Sequence, residues 1–174
     1  RNGGGAYLAG GTLDVSNGLF NDNKATINGG GAFVSGGNIK MSGGSFDSNT
    51  ADDNGGGIYL TGGSLTMTGG SFKNNKATNG GGGAYVSGGD LELNGDTASF
   101  SENYATSGGG VYLTGGKPNL YKGSLIGNTA LKDGGGIYID KQQVILVPQG
   151  EVLISQNKAG YNQLGEIGEQ IGRG

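Results

Sequence analysis

Apolar residues recur along this chain in short alternating bursts and never at helical spacing. The first type of burst holds a small or aliphatic residue, an aromatic and an aliphatic. It reads Ala6-Tyr7-Leu8, Ala32-Phe33-Val34, Ile58-Tyr59-Leu60, Ala84-Tyr85-Val86, Val111-Tyr112-Leu113 and Ile137-Tyr138-Ile139. A second type follows at Leu13-Asp14-Val15, Ile39-Lys40-Met41, Leu65-Thr66-Met67 and Leu91-Glu92-Leu93. A third is marked by Phe20, Phe46, Phe72 and Phe100, with Leu125 and Ile154 in the last two places. Alternation with a period of two is strand periodicity. Glycine is dense between the bursts, and in a helix it costs about 1 kcal/mol per position relative to alanine. The pattern predicts three short strands separated by turns, then the same three again.

The recurrence is regular. Glycine triplets open at Gly3, Gly29, Gly55, Gly81, Gly108 and Gly134, stepping by 26, 26, 26, 27 and 26 residues. Each unit closes on an Asn with Ala two positions later, at Asn23, Asn49, Asn75, Asn103, Asn128 and Asn157. Three strands and three turns in about 26 residues make one coil of a parallel β-helix. The expected fold is all-β: a single-stranded parallel β-helix, or β-solenoid, of about six coils. Equivalent residues of successive coils then stack at about 4.8 Å. The coils cover residues 1–160. Asp140-Lys141-Gln142-Gln143 replaces the GG turn of the sixth coil, Val144 to Pro148 follow, and residues 161–174 carry no seventh triplet. That stretch reads as a tail, a cap or the start of a further degenerate coil. No cap is evident ahead of Gly3, and open coil ends invite pairing.

Alternation assigns the faces. Leu8/Val34/Leu60/Val86/Leu113/Ile139 point inward, as do Ala6/Ala32/Ile58/Ala84/Val111/Ile137 and the flanking residues of the second burst. Phe20, Phe46, Phe72 and Phe100 form a core stack. By the same logic Tyr7, Phe33, Tyr59, Tyr85, Tyr112 and Tyr138 point outward as an exposed aromatic ladder. Contiguous exposed apolar area marks contact sites; cross-strand rings also stiffen a sheet, and a neighbouring domain could cover them. Glycine serves the corners by accepting positive φ, and the Asn row is expected to serve the same need, since Asn tolerates the left-handed region. Stacked Asn amides also bond from coil to coil.

Composition narrows the chemistry. Of 174 residues 43 are Gly and 2 are Pro, while Cys, His and Trp are absent. Disulfide frameworks, Cys/His zinc centres and His-based triads are excluded from this chain. Clustered glycines with no triplet period exclude collagen. Eleven Lys+Arg against 14 Asp+Glu give a net charge of -3, too little field to hold nucleic acid or an anionic membrane. No apolar run has the length of a spanning helix or a signal peptide, and the first residue, Arg1, reads as that of a processed product or a fragment. Asp14 below Lys40, Asp47 below Lys73 and Asp90 below Lys117 set unlike charges in adjacent coils, a device for pinning register. Ala9/Ser35/Thr61/Ser87/Thr114 form a hydroxyl row, whose mixed, charged neighbours argue against ice binding. Asp90, Glu92 and Asp96, with Lys117 one coil on, are the best acidic cluster, and two carboxylates on one strand suit acid/base work on a sugar. They equally suit a solvated edge. The GGxGxD calcium pattern is absent, so neither metal nor cofactor is expected.

The pairing of GG followed by Ala, Ile or Val with a downstream FxxN resembles the repeat of the chlamydial polymorphic outer membrane proteins. The first motif stands at Gly4-Gly5-Ala6, Gly30-Gly31-Ala32, Gly56-Gly57-Ile58, Gly82-Gly83-Ala84, Gly109-Gly110-Val111 and Gly135-Gly136-Ile137. The second runs Phe20 to Asn23, Phe46 to Asn49, Phe72 to Asn75 and Phe100 to Asn103. The resemblance implies a right-handed parallel β-helix, secreted or at the cell surface, acting as an adhesin passenger, and it carries over no catalytic residue. The expected function is a non-enzymatic adhesive or structural display rod with the aromatic ladder as its contact surface. Its expected partner is a host-cell or glycan surface, with no nucleic acid and no direct membrane insertion. The alternatives are a self-assembling fibre whose coils stack end to end with copies of the chain, and a polysaccharide-active enzyme.

Overall fold

The computed structural model describes residues 1–140, 151–160 and the backbone of Ile171–Arg173. The altered turn at Lys141–Pro148 and most of the 161–174 tail lie outside the described residues. What is described is an all-β solenoid of parallel strands with a repeat of about 26 residues. The corners between strands send the chain from one sheet to the next, so no strand pairs with its own sequence neighbour across a hairpin. Each pairs instead with its copy one coil away.

Three sheets run along the rod. The first is built from Ala6–Leu8, Ala32–Val34, Ile58–Leu60, Ala84–Val86, Val111–Leu113 and Ile137–Ile139, with Ile171–Arg173 added in parallel on Ile137–Ile139. The second holds Asn38–Asp47, Ser64–Lys73, Asp90–Ser101, Pro118–Ile126 and Val152–Ser155, with Thr12–Val15 and Leu19–Asn21 at its end. The third consists of two-residue strands: Lys24–Ala25, Thr50–Ala51, Lys76–Ala77, Tyr104–Ala105 and Thr129–Ala130. The three strands expected per coil therefore fall differently. The second and third apolar bursts merge into one long strand in the inner coils, bent by a register shift near Ser42 or Leu93. The third strand is the short piece after the Asn, whose inward Ala (Ala25, Ala51, Ala77, Ala105, Ala130) fills a narrow corner of the core.

The core is a set of columns. Phe46, Phe72 and Phe100 are wholly buried, and Phe20 covers the end of their column. Ring centroids lie 4.4 to 4.8 Å apart and planes within 9°. Ile39, Leu65 and Leu91 form a second column, and Met41, Met67 and Leu93 a third.

The Asn column is buried at Asn49, Asn75, Asn103, Asn128 and Asn157, and half-buried at Asn23. Each buried Oδ1 accepts two hydrogen bonds from the preceding coil. At Asn75 the donors are the Asn49 backbone N–H (3.0 Å) and Asn49 Nδ2 (2.9 Å). Each buried Nδ2 also donates to a core-strand carbonyl one coil back, as Asn75 does to Phe46 O at 2.8 Å. In the inner coils, from Asn49 to Asn128, the carboxamides use both oxygen lone pairs and both amide protons to stitch coils together.

The ladder asparagines are not the left-handed residues of the turn. That conformation belongs to the residue just before each: Asp22, Ser48, Asn74, Glu102 and Gln156, with φ of 54 to 57°, and Gly127, with φ 67°. The carboxamide holds the turn from outside it, and the strain sits one residue earlier. A left-handed non-glycine residue costs on the order of 1 kcal/mol, and one coil already carries glycine there. Ser48→Gly is therefore expected to stabilise the chain by no more than about 0.5 kcal/mol, because the added freedom of the unfolded chain and the lost Ser48 Oγ bond to Asp47 offset most of the relieved strain. Urea unfolding measures it, and a destabilisation of that size would contradict the strain.

Candidate functional site

The first sheet carries the aromatic column in register, Tyr7 on Phe33, Phe33 on Tyr59, Tyr59 on Tyr85, Tyr85 on Tyr112 and Tyr112 on Tyr138. Ring centroids are 4.5 to 5.3 Å apart and the rings are stacked throughout. The column is less exposed than alternation predicts. Tyr7 is 58% exposed, Tyr59, Tyr85, Tyr112 and Tyr138 are half-buried, and Phe33 is buried at 8%. Phe33 lacks the phenol oxygen and lies between two longer rings, each 5.3 Å away, so they overhang it. Stacking closes the ring faces against one another. Inside the column, solvent meets ring rims and hydroxyls.

That packing moves the phenols. Burial pushes the Tyr112 hydroxyl up to about 12, with the neighbouring Tyr138 and Tyr85 adding to it. Burial also raises Tyr85, against a hydrogen bond with Thr114 that lowers it. Below pH 10 folded and unfolded chains both keep these protons, so the contribution is intact. Between pH 10 and about 12 the unfolded chain releases the Tyr112 proton and the folded chain keeps it, so stability falls as pH rises. Ultraviolet titration is expected to show late phenolate formation in the folded chain together with a falling urea midpoint. Phenolate appearing in one step at the ordinary tyrosine value would contradict the packing.

The other expected features are placed as follows. Asp14 stands opposite Lys40 and Asp47 opposite Lys73 in register. The ion pairs formed among the described residues are Lys24–Asp52 (3.4 Å), Lys73–Glu102 (3.5 Å) and Lys122–Asp96 (3.7 Å). Asp47 accepts instead from Ser48 Oγ and Asn74 Nδ2, and Asp90 accepts the Lys117 backbone N–H at 3.1 Å. Long lysines reach past the opposite residue to whichever carboxylate faces them, and exposed pairs of this kind are worth roughly 0–1 kcal/mol. In the acidic cluster each carboxylate has its own neighbour: Lys117 N–H for Asp90, Asn94 Nδ2 for Glu92 at 3.4 Å and Lys122 for Asp96. Among the described residues no three carboxylates come together to hold a metal ion. Ser35, Thr61 and Ser87 turn their hydroxyls back to donate to Leu8, Val34 and Leu60 carbonyls at 3.3 to 3.5 Å. The hydroxyl row is a seam between coils.

A second polar row escapes the sequence reading. The residue before each glycine triplet is Asn2, Asn28, Asn54, Gly80, Ser107 and Asp133. Asn2, Asn28 and Asn54 accept the backbone N–H of the next coil on Oδ1, at 3.0 to 3.2 Å. At Gly80 the row loses its side chain, and Ser107 follows. A groove of about 190 Å³ opens there beside Tyr85 and Tyr112. The legible signal is a run of four glycines, Gly80 to Gly83, where the other units have three.

The Chlamydia polymorphic membrane protein repeat matches the chain at residues 43–61 and 123–140. Each matched stretch runs from the bend of the long strand through the Asn turn and the glycine triplet to the aromatic strand. The second stretch matches with Leu125 in the Phe position. No curated protein and no solved structure matches the chain at a significant level.

Proposed function

For a β-solenoid carrying the Chlamydia polymorphic membrane protein repeat at two places, we propose a non-enzymatic role at the cell surface. The chain is a stretch of a surface-displayed passenger, a stiff rod that presents the rim of its tyrosine ladder to a host-cell or glycan surface. The observation that carries this reading is the unbroken aromatic column, stacked from Tyr7 to Tyr138. Six rings locked at strand spacing make a line about 24 Å long with very little conformational freedom left to lose. Preorganised aromatic area of this kind contributes to binding because its ordering cost is met on folding. Closed ring faces direct recognition to the hydroxyl rim, where a flat surface or an extended chain can lie along the rod.

Two triple variants test it, with the chain displayed on beads and attachment to cultured animal cells measured. Tyr59, Tyr85 and Tyr112 changed to Phe keep the stack and lose three hydroxyls; attachment is expected to fall roughly tenfold. The same three changed to Ser lose rim and rings, and attachment is expected to vanish while circular dichroism still reports β-structure. Attachment unchanged in the folded Ser variant would sink the role of the ladder.

A further inference from the structure

We infer that the notch at Gly80 is a subsite for one neutral, polyhydroxylated ring of pyranose size, a single sugar unit. The inference rests on the adhesive reading of the rod and names the ligand class for one point of it. In the first three coils the outer face beside the ladder carries an asparagine, Asn2, Asn28 or Asn54, whose amide oxygen caps the next coil. At Gly80 there is no side chain, the Tyr85 and Tyr112 rings close over the place where one would begin, and the groove is the open space beside those rings. A Cβ there would lie 2.9 Å from Tyr85 Cδ2 and 3.0 Å from Tyr112 Cδ2. The two rings cover the glycine, and the groove beside them is walled by Asn54 and Asn79 on one side and by Thr106 and Ser107 of the next coil on the other.

The rim of the notch offers donors and acceptors in neighbouring places. Asn54 Oδ1 is taken by the Gly80 N–H at 3.0 Å, which leaves Asn54 Nδ2 as a donor without an acceptor among the described residues. Asn79 is the reverse: its Nδ2 donates to Asp53 Oδ1 at 2.5 Å, leaving its Oδ1 to accept. Thr106 Oγ1 donates to Thr78 O at 2.6 Å and keeps its lone pairs. Ser107 adds a hydroxyl that can act either way. Alternating donors and acceptors suit vicinal hydroxyls, since each hydroxyl donates one bond and accepts others. Lys132 stands at the rim as the one charged group of the lining, and the other polar side chains there, Asn54, Asn79, Thr106 and Ser107, are uncharged hydrogen-bonding groups that suit a neutral ligand. The volume of about 190 Å³, below the roughly 300–1,000 Å³ of drug-sized pockets, matches the scale of one ring.

The test is an NMR shift titration of the whole chain with methyl glycosides of glucose, galactose, mannose and N-acetylglucosamine. At least one is expected to move the amides of Asn79, Gly80 and Ser107 saturably, with millimolar affinity. Ser107→Asn narrows the groove with the residue the first three coils carry at this place, and Asn79→Ala removes an exposed acceptor. Each is expected to weaken binding about tenfold, with the thermal midpoint retained. Two outcomes overturn the subsite: none of the four sugars moves those amides, or both folded variants bind as tightly as the parent chain. Cell attachment separates this from the ladder. Attachment lost in the Tyr-to-Ser variant with no sugar bound leaves the ladder standing and removes the notch. Sugar bound at the notch, with attachment indifferent to the ladder, removes the ladder and leaves the notch.

Discussion

Asn75→Ala is expected to destabilise the chain by about 3–6 kcal/mol, a large share of the 5–15 kcal/mol typical of a folded domain. Asn75 is fully buried in mid-column. Its Oδ1 accepts from the Asn49 backbone N–H and from Asn49 Nδ2, and its Nδ2 donates to Phe46 O and to Asn103 Oδ1. Truncation leaves the Asn49 N–H, one Asn49 amide proton and the Phe46 carbonyl without these partners. A buried group so orphaned costs about 1–3 kcal/mol. Asn49 Nδ2 keeps Phe20 O, and Asn103 Oδ1 keeps the Asn75 backbone N–H, which holds the total at the stated range. Aspartate is no remedy, because its oxygens would face Phe46 O and Asn103 Oδ1 with no proton between them. Asn21→Ala, at an exposed residue bonded only to its neighbour Asp22, is expected to change stability by less than about 0.5 kcal/mol. Urea unfolding of the two variants side by side decides the matter. An Asn75→Ala loss below about 1 kcal/mol would falsify the account of the column as the seam of the rod.

Gly56→Ala is expected to prevent folding or to cost more than about 4 kcal/mol. The added methyl would lie 2.4 Å from Gly82 O of the next coil and 2.6 Å from Lys76 C across its own coil, both backbone atoms. Those atoms cannot move without opening the stack, and every other row holds it shut. The three glycines of a triplet thus have separate jobs. Gly55 supplies a φ of 67°. Gly56 lets the next coil's backbone approach, and the space of a Gly57 Cβ is claimed by Gly83 O and the Phe72 ring. Gly10→Ala is the control: its methyl would meet only Gly36 O, at 3.8 Å, and its effect is expected to stay within about 1 kcal/mol. Thermal melts followed by circular dichroism compare the pair, and a Gly56→Ala chain that melts with the parent would remove the close-approach argument.

The repeat, the β-solenoid class and the composition of the core columns are legible in the residue pattern alone. The reason is that position i and its copy 26 or 27 residues on are the same kind of residue in the same environment. Stacking like on like in parallel register is then the one arrangement that buries Leu8/Val34/Leu60 and Phe46/Phe72/Phe100 together. The Asn row was legible on the same ground, since a polar residue kept in every coil must have its bonds met by its own copies.

Tertiary structure decided what depends on space between rows. Which residue of the turn is left-handed follows from the bonds the Asn makes, and those put the strain on Asp22, Ser48 and their equivalents. Which glycine must be glycine follows from where the next coil's backbone passes. The burial of Phe33 depends on the reach of Tyr7 and Tyr59, and the choice of Glu102 over Asp47 by Lys73 on side-chain length. The merging of two strand bursts into one bent strand, and the notch at Gly80, come from packing across coils. A linear pattern records what a residue is and how often it returns; it does not record how far a neighbouring side chain reaches.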